Sequence, residues 1–76
     1  MSVMTPHMGT MLALQSATRT AREATGLFIG VRVNAGQFRI GIVTMVNRRE
    51  VFEPLSDYQA LPATLDKLRQ IAAKEN

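Results

Sequence analysis

Residues 27–47 constrain the fold more than any other part of this chain. They read LFIGVRVN, then Ala35-Gly36, then QFRIGIVTMVN: two alternating, β-branched runs around a turn-forming pair. That is the pattern of an antiparallel hairpin. Its register follows by elimination. A loop of even length sets Val33 opposite Phe38, Val31 opposite Ile40 and Ile29 opposite Ile42, all on one face with Leu27, Thr44 and Val46. An odd loop would put an arginine beside phenylalanine on the apolar side, because a one-residue slip inverts every side chain. The same logic applied around Arg48-Arg49 opposes Val46 to Val51 and Met45 to Phe52, giving a short third strand over residues 50–53.

Helical spacing flanks this meander on both sides. Thr10 is a suitable N-cap, after which Met11, Leu14, Ala17, Ala21 and Ala24 share one face and Gly26 offers a stop. Toward the other end, Ser56-Asp57-Tyr58-Gln59 reads as a capping box, with Pro62 at the first position of the helix proper. Leu61, Leu65, Leu68, Ile71 and Ala72 then form an apolar stripe. The expected fold is α+β: an N-terminal helix, a three-stranded antiparallel meander and a C-terminal helix (α-β-β-β-α), both helices on one sheet face. Residues 1–9 show no periodicity and read as a disordered tail, leaving 10–76 as a single small domain.

Two helices cover one side of three strands, and the consequence is a contrast between faces. Face one carries Leu27, Ile29, Val31, Val33, Phe38, Ile40, Ile42, Val46 and Val51, and is the expected core. Face two carries Phe28, Gly30, Arg32, Asn34, Gln37, Arg39, Gly41, Val43, Met45 and Phe52, with nothing left in the chain to cover it. An uncovered patch with two phenylalanines and a methionine marks a partner site. The expected partner or dimer interface is therefore Phe28, Gly30, Gly41, Val43, Met45 and Phe52. Gly30 falls opposite Gly41, a shallow trough of the kind that admits a close approach. Arg32 falls opposite Arg39, a like-charge pair that an anionic partner would relieve. With Arg48 and Arg49 these make the expected contacts to such a partner.

Size points the same way. At 76 residues, folding buries only about 60% of the surface the unfolded chain exposes. Small domains compensate with disulfides, a structural metal or self-association. There is no cysteine and the sole histidine is His7, so disulfides and a zinc site fall away and self-association remains. No run approaches the roughly 18 apolar residues of a membrane helix, and no secretory signal is read, so the expectation is a cytoplasmic protein with no membrane partner.

Catalysis requires a positioned acid, base, nucleophile or metal. Ser56, Asp57 and Tyr58 cluster, but the cap occupies the serine, and Glu50 and Glu53, three apart on a strand, point to opposite faces. Neither phosphate-loop nor dinucleotide-loop glycine pattern occurs. The expectation is no enzyme, no cofactor and no metal. The leading reading is a non-catalytic protein–protein interaction, regulatory or inhibitor module, homodimeric through face two or docking a larger target protein.

Charge supplies the alternative, a basic DNA- or RNA-binding module. The net charge is +3, but residues 19–49 hold six arginines against Glu23, a local +5, while residues 50–76 hold three bases against five acids, a local −2. Such asymmetry suits an acidic partner, nucleic acid or head-to-tail pairing of copies. The element order resembles that of double-stranded-RNA-binding domains. That family opens its last helix with a lysine-rich phosphate clamp, whereas residues 61–67 here read LPATLDK. The sheet also lacks a stacking platform for single strands, apart from Phe28 and Phe52 near its edges. No residue role is carried over.

Overall fold

A computed structural model describes residues 4–75, with side chains for 9–74. The order is α1 (Met4–Thr25), β1 (Ile29–Asn34), β2 (Gln37–Val46), β3 (Arg49–Pro54) and α2 (Leu61–Glu75). The strands form one open antiparallel sheet in the order β1-β2-β3. This is the α-β-β-β-α arrangement expected, with both helices on the same face.

The β1–β2 register is the one derived by elimination: Ile29↔Ile42, Gly30↔Gly41, Val31↔Ile40, Arg32↔Arg39, Val33↔Phe38. Ala35 and Gly36 both have positive φ, 52° and 76°. That is the two-residue turn whose twist suits a hairpin. The β2–β3 register differs by two residues from the expected one, with Val43↔Phe52, Thr44↔Val51 and Val46↔Arg49. The turn is Asn47-Arg48 (φ 52° and 66°) rather than Arg48-Arg49. Asparagine tolerates the left-handed region that such a turn demands, and this draws the turn one residue earlier. Because the slip is even, every side chain keeps its assigned face.

Two further expectations are corrected. The first helix begins at Met4, so residues 4–9 continue α1 rather than forming a disordered tail. Pro6 falls in the first turn, where its missing N–H removes no intrahelical bond. Residues 1–3 and the side chain of His7 lie outside the described residues. Second, Ser56 does not cap a helix. Its hydroxyl accepts the Ile40 N–H (3.1 Å) and donates to the Asp57 carbonyl (3.0 Å). Residues 55–59 instead prolong the third strand through a bulge: the Leu55 N–H reaches the Ile40 carbonyl, and Gln59 exchanges both backbone bonds with Phe38. Helix α2 itself starts at Leu61 with Pro62 in its first turn, close to the position the sequence suggests.

The core lies between the helices and the middle of the sheet. Leu14, Ala21, Ile29, Phe38, Ile40 and Leu68 are buried and in mutual contact, with Ala17, Val31, Ile42, Leu61, Leu65 and Ile71 around them. Small residues on α1 let it lie close on α2. Gly26 (φ 73°) ends α1 in a left-handed conformation, its N–H on the Arg22 carbonyl (2.8 Å). Leu27, Val33, Val46 and Val51, expected in the core, are exposed. The helices shield only the part of face one beneath them, so one edge of the sheet and the far β2–β3 hairpin extend beyond their cover.

Candidate functional site: the sheet face and its edges

Face two is free of helices, as the alternation implied, but its surface is rearranged by its own side chains. Gly41 is buried, and a Cβ placed there would run into the Phe52 ring and lie 2.7 Å from the Glu53 carbonyl oxygen. At Gly30 the nearest atoms are Val43 Cγ2 at 3.0 Å and Phe52 Cε1 at 3.9 Å. The Phe52 ring therefore sits in the glycine trough. An aromatic ring from a neighbouring strand covers the apolar backbone that glycine exposes, and this offsets glycine's weakness in a strand. The close approach inferred from the two glycines is thus made by Phe52 itself.

The opposed arginines part in opposite directions. The Arg32 guanidinium lies over the Phe52 ring, 4.2 Å from its centroid. Arg39 turns to the bulge after β3. Its Nε donates to the Ser56 carbonyl (3.0 Å), its Nη2 lies 3.4 Å from Asp57 Oδ1, and its charge faces the Tyr58 ring at 4.9 Å. Like-charge repulsion across the strand pair is relieved by a π-face on one side and a carboxylate and carbonyl on the other. Asp57 is fully exposed, so the ion pair itself contributes little. The hydrogen bond and ring contact do the positioning.

The expected interface is accordingly split. Val43 and Phe52 are half-buried against the glycines, while Met45 stays 64% exposed at the far end of the same face. Phe28 precedes β1 at the sheet edge, its ring under Arg22 at 4.5 Å, and Arg22 Nε also donates to the Ile29 carbonyl (2.7 Å). Arg48 and Arg49 stand at the tip of the β2–β3 hairpin, both exposed, well away from Arg39 and its bulge.

The alternation did not reveal a second apolar surface on face one. Between α1 and the free edge of β1 runs a groove of about 520 Å³, lined among others by Met11, Leu14, Arg19, Arg22, Val31 and Val33. A hint was present in the sequence: an α1 stripe made largely of alanine is too slight to cover Val31 and Val33 as well as Ile29. Among the described residues no group of three His, Asp or Glu side chains could hold a metal, and no helix is long and apolar enough to cross a membrane. Ser56, Asp57 and Tyr58 do lie together, but the serine hydroxyl is committed at both ends to backbone groups. Comparison with family models, with curated proteins and with solved structures finds no match to this chain.

Proposed function

We propose that this chain is a non-catalytic protein–protein interaction module that self-associates through the helix-free sheet face. The observation that carries the reading is Met45, 64% exposed on a face no helix covers and continuous with half-buried Val43 and Phe52. Val46 and Val51, on the other side of the same hairpin, are also exposed. Apolar side chains on both sides of a projecting hairpin, in a domain with so small a core, favour burial against a second molecule. Two copies packed face to face would set Val43, Met45 and Phe52 against their symmetry mates, sheet on sheet.

Sedimentation of the wild type beside Met45→Asp tests this. The wild type should run as a dimer whose mass holds from low to high salt, and Met45→Asp as a monomer with unchanged secondary structure. Stable monomers for both at high micromolar concentration would remove self-association from the reading.

A nucleic-acid-binding reading has one observation in its favour. Arg48 and Arg49 share a projecting hairpin tip and form no ion pair among the described residues. Against it, Arg32 and Arg39 are already engaged by Phe52, Ser56 and Asp57. Binding of this class would weaken steeply as salt rises. Failure to retard a generic duplex or single strand at low salt would dispose of it.

A further inference from the structure

We infer that the free edge of β1, with the groove beside α1, captures an extended acidic segment of another protein as a fourth strand. This surface is separate from the helix-free face and does not depend on self-association there. Three observations meet at this edge. The first is backbone polarity. The Val43 N–H donates to the Phe28 carbonyl (2.9 Å), which makes 28/43 a hydrogen-bonded pair. Antiparallel ladders alternate, so Gly30, Arg32 and Asn34 also turn their backbone groups to β2, and Val31 and Val33 turn theirs outward. Ile29 faces outward too, but its carbonyl accepts from Arg22 and its N–H donates to the Leu27 carbonyl. Two residues of edge backbone are thus left open.

The second observation is shape. Along β1 the cover falls away from Ile29, fully buried, through Val31, half-buried, to Val33, 60% exposed. Helix α1 is tied to the strand at Ile29 by Arg22 and the groove opens toward Val33. A strand laid along β1 would insert alternate apolar side chains against Met11, Leu14, Val31 and Val33. Its other side chains would emerge on face two beside Arg32. Strand addition of this kind draws affinity from main-chain bonds and specificity from the alternate pockets.

The third is charge. Arg19 and Arg22 line the groove, and no acid is among its described lining residues. A second copy of this chain would bring its own β1, with Arg32, to the same edge. An acidic segment supplies the complementary sign, and it is the occupant we assign.

The test uses the full chain, isotopically labelled, titrated with a capped nine-residue peptide alternating valine and glutamate. Amide shifts should concentrate at Val31, Val33 and the groove side of α1, and the Val31 and Val33 amides should gain protection from exchange. N-methylating the peptide residues that face Val31 and Val33 should weaken binding at least tenfold, as should Val33→Asp. Arg19→Glu should weaken it several-fold. Met45→Asp should leave it unchanged, which separates this surface from the dimer face. The inference is overturned if the peptide does not bind at millimolar concentration, if a lysine–valine peptide binds equally well, or if Val33→Asp has no effect. It is also overturned if the wild type forms a dimer that Val33→Asp dissolves, since the edge would then belong to a second copy.

Discussion

Strand β2 passes through two environments. From Gln37 to Ile42 it has β1 on one side, the β3 bulge on the other and both helices beneath, and Phe38, Ile40 and Gly41 are buried. From Val43 to Val46 the same strand leaves that cover, and Val46, on the helix-bearing face, is 50% exposed. The residue types hardly change between the halves. What changes is the neighbour supplied by the rest of the chain. Alternation specifies which side chains share a face, and connections specify how far along that face the helices reach. An apolar position beyond that reach becomes a surface feature without any change in the local pattern.

The largest expected consequence of this contrast lies within one face of one strand. Ile40→Ala removes a fully buried side chain wedged between helices and sheet and should cost about 3 kcal/mol of stability. Val46→Ala, on the same face of the exposed half, should cost less than about 0.5 kcal/mol when the chain is dilute enough to be monomeric. Chemical denaturation of the two variants at low concentration measures the gap. Equal losses would mean that the far hairpin is supported within the protomer and has no need of a partner.

The glycine pair offers a smaller and more local contrast. Gly41→Ala places a methyl group on the Phe52 ring and on the Glu53 carbonyl, and should cost about 2 to 3 kcal/mol. Gly30→Ala meets only the end of the Val43 side chain at 3.0 Å and should cost about 1 kcal/mol or less. Adding Phe52→Ala to Gly41→Ala should recover part of the loss but not all, because the carbonyl contact is backbone. If the two alanine variants were equally mild, Phe52 would not be seated in the trough and face two would be an open surface.

These contrasts also mark what could be read from the residues. The element order and the shared face of the helices follow from periodicity, and the parity of the β1–β2 register from alternation, since an odd slip buries arginine. The second register differs by two because Asn47, which tolerates positive φ, takes the first turn position ahead of the arginine pair. Ser56 misled for a different reason. Its local motif suits a helix start, but the Ile40 N–H, delivered from a distant strand, competes for the same hydroxyl and wins. The trough showed in the sequence as two glycines at matched positions. Its occupant did not, because Phe52 reaches it only in the corrected register, where Val43 rather than Met45 is its direct partner. The groove beside β1 depends on where α1 lies across the sheet, and periodicity carries no information about that.

The two hairpin turns give the subtlest comparison. Both place two residues at positive φ, but the second residue is Gly36 in one and Arg48 in the other. A side-chain-bearing residue in this region costs about 1 to 2 kcal/mol, and glycine is the residue this turn prefers at that site. Arg48→Gly should therefore raise stability by about 0.5 kcal/mol, the relief of strain exceeding the added freedom of the unfolded chain. The mirror change, Gly36→Arg, should lower stability by a similar amount, since nothing lies within 4 Å of a Cβ there and only the backbone objects. A thermal melt of each variant measures the pair. If Arg48→Gly stabilises the fold and also lowers retention on an anionic matrix, the arginine is held at this turn for its side chain, at the expense of the backbone. If it destabilises the fold, the guanidinium contributes to the hairpin itself, and the exposed tip carries no argument for a charged partner.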